Sequence, residues 1–376
     1  MPARPALVVT SIAGDSNPIL QQLARGAHAA DWRFLVIGDT KSPASFSLAH
    51  CEFMSVAEQL AWSESHNLTY ASLCPTRHYA RKNIGYIEAI RAGAPFIVET
   101  DDDNQPIELP SQVSTGDSNR HRRSFFAPRS LNRSAKVIHD GGWVNVYRYW
   151  SKTDIWPRGF PLECVQQSVP SLADTPAQPT ACPIQQGLAD ENPDVDAIYR
   201  LTRSLPIFFD SHDDIALAAG TWCPFNSQNT TFFPQAFPLL YLPALCSFRM
   251  TDIWRSFVAQ RICHVNRWHI LFQNATVRQL RNDHNLMRDF EDEVSGYTRN
   301  AKIRTLLATL DLPSGEHHLA ANLRTCYAHL VAQGFLPAGE LDLLDAWLHD
   351  LARVRSIAAS VLVETTLPRN PVEEEV

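Results

Sequence analysis

Residues 79–104 read Tyr79-Ala-Arg-Lys-Asn-Ile-Gly-Tyr-Ile-Glu-Ala-Ile-Arg-Ala-Gly-Ala-Pro-Phe-Ile-Val-Glu-Thr-Asp-Asp-Asp-Asn104, and this stretch decides the fold. Ala80, Ile84, Ile87 and Ile90 recur at helical spacing and define one apolar face. Gly93 followed by Pro95 ends that helix. Phe96, Ile97 and Val98 then predict a short strand covered on both faces. Asp101, Asp102 and Asp103 arrive where the strand leaves the sheet. Adjacent carboxylates repel one another unless they are solvated or a positive charge sits among them. An acidic surface turn meets the first condition and a metal–diphosphate site meets the second. Open α/β sheets bind ligands at the carboxyl ends of their strands. A hard cation such as Mg or Mn takes carboxylate oxygens and bridges to phosphates. The preceding helix carries Arg81, Lys82 and Asn83, which tilts the reading toward the metal–diphosphate site.

Working back toward the N-terminus, Leu7 to Ile12 reads as a strand and 13–18 as a turn that caps a helix from Ile19 to Ala30. A second strand spans Trp32 to Ile37. Thr10 and Ser11 stand at the carboxyl end of the first strand, where a nucleotide could meet them. Asp39 and Lys41 follow the second, suited to a ribose or base contact plus a phosphate charge, or to an ordinary polar loop. Residues 46–76 suggest short strands at Leu48 to Phe53 and Tyr70 to Leu73. Residues 1–110 therefore predict a doubly wound nucleotide-binding half. No Gly-x-Gly-x-x-Gly follows the first strand and no Gly-x-x-x-x-Gly-Lys-Ser/Thr occurs, which disfavours dinucleotide dehydrogenases and P-loop enzymes.

At 376 residues and 45% hydrophobic composition, the chain can bury a sizeable core. A net charge of −7 argues against a general nucleic-acid binder. No stretch is apolar enough to cross a bilayer. The N-terminus has no signal-peptide layout, and the eight scattered cysteines read as reduced thiols. The expectation is a cytoplasmic protein, with peripheral membrane contact left open.

Toward the C-terminus, 111–135 reads as a polar, basic loop, Lys136 to Tyr149 as a hairpin turning at Gly141-Gly142, and 168–195 as an irregular surface excursion. Residues Trp222 to Phe233 crowd amide and hydroxyl side chains between aromatics, which is costly to bury unless satisfied. Trp222, Asn226, Gln228 and Asn229 could grip a sugar, or the run could be a polar loop at the sheet edge. Asp252 opens a helix running through Gln260. It is a candidate general base on an acceptor hydroxyl, flanked by Arg249 and Arg255 for phosphate oxygens, or a plain N-terminal helix charge. His284 or His269 could add a metal ligand, though a lone histidine is more often structural. Residues 300–365 suggest three or four small helices, and 371–376 a disordered acidic tail.

The run Arg81 to Asn104, the amide run 226–230 and Asp252-Ile-Trp-Arg-Ser256 resemble the STELLO glycosyltransferase family across most of residues 5–295. A more distant resemblance, carried by the Asp-Asp-Asp strand end, Pro193 to Ala197 and Asp252 to Trp254, is to the reversibly glycosylated polypeptides, the UDP-arabinopyranose mutase group. The first resemblance implies a GT-A glycosyltransferase fold, a mixed α/β sheet flanked by helices, with the glycosyltransferase domain over 1–298 and a C-terminal helical region over 299–365. Asp101 and Asp103 match the outer positions of its Asp-x-Asp metal motif, with Mn or Mg as cofactor. Thr10, Asp39 and Arg81-Lys82-Asn83 match positions near the nucleotide, with Asp102 beside them. Asp252 matches the acceptor-side acid of many inverting enzymes of this fold. The implied activity is sugar transfer from a nucleoside-diphosphate sugar, a UDP-sugar foremost, to a glycan or lipid-linked acceptor. The distant resemblance implies the alternative, a nucleotide-sugar mutase or self-glycosylating protein.

Overall fold

The computed structural model describes residues 3–108, 122–281 and 285–366, with side chains of the last helix described through Arg355. Strands and helices are numbered in chain order. The opening half alternates β1 (Ala6–Thr10), α1 (Pro18–Ala29), β2 (Arg33–Ile37), β3 (Glu52–Met54), α2 (Val56–Ser65), α3 (Tyr70–Leu73), α4 (Lys82–Arg91) and β4 (Ile97–Thr100). It continues through β5 (Asn104–Pro106), β6 (Asn132–Ile138), β7 (Ala177–Ala181), β8 (Ile184–Asp190), α5 (Ala197–Thr202), β9 (Ile215–Leu217), β10 (Asn229–Phe232), α6 (Thr251–Val265) and β11 (Ile270–Gln279). Three helices close the described chain: α7 (Leu286–Thr309), α8 (Leu319–Ala332) and α9 (Gly339–Thr366).

All strands join one mixed sheet, ordered β3-β2-β1-β4-β10-β8-β11-β9-β6-β7, with β5 pairing the far end of β11. β1 runs parallel to both β2 and β4, so three carboxyl ends open on one edge. The antiparallel β10 then joins this half to the rest of the sheet. Alternation along β1 and β2 sorts two cores: Val8, Leu35 and Ile37 meet α4, while Leu7, Val9 and Val36 meet α1. Gly85 permits the first contact, because a Cβ there would sit 2.6 Å from a Val8 methyl. α4 ends as its sequence predicts. Gly93 adopts a φ of +76°, and the N–H groups of Gly93 and Ala94 return to the Ile90 and Ala89 carbonyls.

Several expectations change. Tyr70–Leu73 is a helical turn, fixed by the Asp350 carboxylate of α9, which accepts from the Thr69 and Tyr70 N–H groups. α2 was unanticipated, although Ser55 and Glu58 form a reciprocal capping box. Lys136–Tyr149 is no hairpin: β6 begins at Asn132 and pairs β7 and β9, and 146–149 is a 3-10 turn. The supposed excursion contains β7 and the fully buried central strand β8. Its glutamines are satisfied internally, Gln185 Nε2 by the Ser130 and Cys182 carbonyls. The C-terminal helices are long, and residue 298 falls within α7. α9 returns to pack on α4 and α3, and α7 packs on α5 and α6. The acidic tail lies outside the described residues, as do residues 111–121 of the basic loop, whose last four residues begin β6. No described helix is long and apolar enough to cross a membrane.

Candidate active site

The carboxyl ends of β1, β2 and β4 border a cleft with two lobes that share Thr10, Ile12, Tyr79, Asp102 and Phe248. The first lobe, about 290 Å³, also meets Ser11, Gly38, Asp39, Lys41, His78 and Arg81. Asp39 ties its walls together by accepting the N–H of Thr40 at 2.6 Å and of His78 at 3.1 Å. His78 Nδ1 accepts the Ala80 N–H at 3.0 Å, so the neutral ring carries its proton on Nε2. That Nε2 is buried without a partner. Burial holds the His78 ring down to about 4, against the pull of Asp39. Arg81 spends Nε on Gln59 and one terminal nitrogen on the Cys74 carbonyl, leaving Nη2 without a partner.

The aspartate triplet lines the second lobe, and Asp102 borders both. Lys82, fully buried, reaches from α4 to the Thr100 carbonyl at 3.0 Å and Asp101 Oδ1 at 2.9 Å. The Ser11 hydroxyl donates to Asp102. Gln279 donates to Asp103 Oδ2 at 3.1 Å, while Asp103 Oδ1 is buried with no partner. Burial pushes Asp103 up to about 7, and its two aspartate neighbours push the same way. Burial also raises Asp102. A hard cation fits this donor set, which has an orphaned carboxylate oxygen and, among the described residues, Lys82 as the counter-charge bonded to Asp101. Among the described residues no three His, Cys, Asp or Glu side chains converge as a ready metal cage. A cation here would take its remaining ligands from water and substrate oxygens.

The second lobe, about 410 Å³, carries the triplet on one wall and four arginines on the other. Arg158 grips Asp194 through Nε and Nη2 at 2.7 and 2.9 Å. It also grips Asp252 through Nη1 and Nη2 at 3.0 and 2.8 Å. Burial raises the Asp252 carboxyl, but Arg158, then Arg255 and the Ser227 N–H, outweigh it and hold Asp252 at about 2. The Tyr79 hydroxyl accepts the Asp252 N–H at 3.0 Å, joining this wall to the first lobe.

The structure brings Thr10, Ser11, Asp39, Lys41, Arg81, the triplet, Arg249 and Asp252 to the cleft, with Lys82 just beneath. Other candidates lie elsewhere. Asn83 is buried against Tyr70 and Leu242. Trp222 packs on Trp143 and His264 away from both lobes. Asn229 belongs to the central strand β10 and bonds Leu188 and Thr276, and the Gln228 carbonyl serves Thr100 and Asn104. Asn226 is a buried brace on Asp194. Arg255 is locked to Glu99 beneath the sheet. His269 precedes β11 at the end opposite the cleft, about 30 Å of strand away. His284 lies outside the described residues. Sequence reasoning missed Arg158, Arg200 and Arg281. A lone arginine carries no motif, and these converge only through the fold.

Residues 249–375 match the family model for STELLO glycosyltransferases. Two Arabidopsis thaliana proteins described as probable glycosyltransferases, STELLO2 and STELLO1, are 28% and 27% identical over 337 residues. The chain is a sequence relative of the STELLO glycosyltransferases. The match spans 86% of this chain but only 42% and 41% of theirs. The fold is consistent with an α/β glycosyltransferase.

Proposed function

We propose that the chain is a metal-dependent glycosyltransferase that moves a sugar from a nucleoside-diphosphate sugar, a UDP-sugar foremost, to a hydroxyl acceptor. The observation that carries this reading is the triplet: it sits where β4 leaves the sheet and lines the arginine-rich lobe, while Asp102 also borders the lobe suited to a nucleoside. Similarity to STELLO proteins supports the reaction class. The nucleoside lies in the first lobe, with Asp39 at its loop and the free His78 Nε2–H and Arg81 Nη2 as donors to the ribose and phosphates. Asp103, with Asp101 or Asp102, would hold the cation, which would neutralise charge developing on the departing diphosphate.

The acceptor oxygen attacks the anomeric carbon as the bond to diphosphate breaks, and that electron pair leaves with the nucleotide. A carboxylate held at about 2 is a weak base toward a free hydroxyl. It accepts a proton readily once the acceptor oxygen has bonded to carbon and become strongly acidic. Asp252 therefore takes the proton late, on Oδ1, which accepts a single bond from Arg158. The test is Asp103→Ala, assayed for thermal shifts with UDP, GDP and CDP sugars with and without Mn. A metal-dependent shift in the parent that disappears in the variant, with the unliganded melt kept, is expected. An equal shift in both proteins overturns the site.

A further inference from the structure

The second lobe holds more positive charge than the departing diphosphate needs. Arg200, Arg249 and Arg281 come from α5, from the 3-10 turn before α6 and from the residues after β11. Their acidic partners sit behind them: Glu293 and Asp289, both buried on α7, hold Arg249 and Arg281 from the rear. Asp194 and Asp252 also line the lobe, and Arg158 bonds both carboxylates. Arg200 has only neutral acceptors among the described residues, Asn192 Oδ1 at 3.3 Å and the Pro193 carbonyl at 2.9 Å. Its Nε is buried with no partner. Burial, then Arg281 and Arg249, push the Arg200 guanidinium down to about 9, against the pull of Asp194 and Asp289. A site that holds like charges together this way is preorganised for an anion.

None of these three arginines meets the nucleoside lobe. The chief influences on Asp102 are burial, Ser11, Asp101 and Lys82, and those on Asp103 are burial, Asp101, Asp102 and Gln279. The triplet and the arginines face the same lobe, but the charges that act most on Arg200 and Arg281 are Asp194, Asp289 and other arginines, so these arginines can take a second anionic group beside the diphosphate.

Building on the glycosyltransferase reading, we infer that the acceptor carries an anionic group, a phosphate or a sugar carboxylate, bound by Arg200 with Arg249 and Arg281 beside it.

The test is titration calorimetry on the full chain and on Arg200→Gln. The probes are inorganic phosphate, methyl glucuronide, methyl glucoside, UDP with Mn, UDP-glucose and UDP-glucuronate. Arg200 makes no direct bond to a carboxylate, so the variant should keep a cooperative melt, which is recorded beside the titrations. The expected result is binding of phosphate or methyl glucuronide, but not methyl glucoside, that weakens at least tenfold in the variant while UDP affinity stays within twofold. Arg200→Lys should recover part of the loss. Whether phosphate or glucuronide binds names the source of the charge. Equal anion binding by parent and variant, or none by either, overturns the inference. A loss of UDP affinity in the variant also overturns it, by making Arg200 a diphosphate clamp. A preference for UDP-glucuronate over UDP-glucose that vanishes in the variant overturns it as well, by placing the charge on the donor sugar. Anion binding without any nucleotide binding would retain the anion site and reject the donor reading alone.

Discussion

Arg255→Met should damage the fold before it damages any substrate contact. Arg255 rises from α6 and bonds both oxygens of Glu99 on β4, at 2.9 and 2.7 Å, with both residues almost fully buried. The Tyr86 hydroxyl of α4 donates to the same carboxylate, and the guanidinium lies 5.6 and 5.2 Å from the rings of Phe225 and Phe232. Removing the arginine strands a buried carboxylate with one phenol. Breaking such a pair costs about 3–5 kcal/mol, a large share of the roughly 5–15 kcal/mol that holds a domain together. With about 2.1 cal/mol/K of unfolding entropy per residue over 376 residues, about 4 kcal/mol lowers the melting temperature by about 5 °C. Replacing the whole triad by apolar residues, Tyr86→Phe with Glu99→Met and Arg255→Met, should return stability to within about 2 kcal/mol of the parent, because no charge is then left buried. Urea denaturation of the parent, the single variant and the triple variant is the assay, with nucleotide affinity measured on each. A single variant that keeps its stability but loses nucleotide affinity would refute the argument and restore Arg255 as a phosphate ligand.

Three further outcomes follow from particular contacts. Gly187→Ala should cost about 1–3 kcal/mol in urea denaturation, because its Cβ would lie 2.4 Å from Asn229 Nδ2, which two hydrogen bonds prevent from swinging away. Burial pushes Glu340 up to about 7, against donors from Tyr241, Leu245 and Ala244. The folded state therefore binds the extra proton between its unfolded value of 4.5 and about 7, and that stability is full below 4.5 and lost as pH rises through 7. Relative to Glu340→Gln, the parent should lose about 3 kcal/mol across that window, and a constant difference between the two would dismiss the shift. Asp252→Asn should lower turnover about 10²- to 10⁴-fold with donor affinity kept, and near-normal turnover would remove it as the proton acceptor.

Residues 79–104 were legible because local rules agree there. Apolar spacing set α4, Gly93 supplied the one backbone conformation the cap required, and the triplet fell at the strand end. The middle of the chain misled because its strands break the usual pattern. β8 reads Ile-Gln-Gln-Gly-Leu-Ala-Asp and β10 reads Asn-Thr-Thr-Phe, yet both are wholly buried. Polar residues read as surface unless their partners are known, and many of these partners are distant in sequence: Gln186 meets Asn226 and Thr230, and Asn229 meets Leu188 and Thr276. The arginine wall was hidden for the same reason: Arg158, Arg200, Arg249 and Arg281 span more than a hundred residues. Arg255 misled in the opposite way, since its place beside Asp252 in sequence puts it three residues further along the helix, facing the core.

The polar seam also explains why the amide run matters without touching the cleft. Gln186 Oε1 accepts the Asn226 N–H at 2.9 Å and the Thr230 hydroxyl at 2.9 Å. The same hydroxyl is also placed to donate to the Asn226 carbonyl, at 2.6 Å. With its backbone fixed, Asn226 donates its side-chain amide to Asp194 at 2.8 Å, and the next residue, Ser227, donates its N–H to Asp252 at 3.1 Å. One interstrand network thus holds both carboxylates that grip Arg158. Partly satisfied, such a network would cost more than an apolar core, but fully satisfied it is stiff. Stiffness is what a charged wall requires, because dipoles and charges fixed in advance need no reorganisation when charge moves during reaction. An apolar seam would give the sheet equal stability and leave Asp194 and Asp252 free to turn. The residues that resemble sugar ligands in sequence therefore act one step behind the substrate, fixing the side chains that face it.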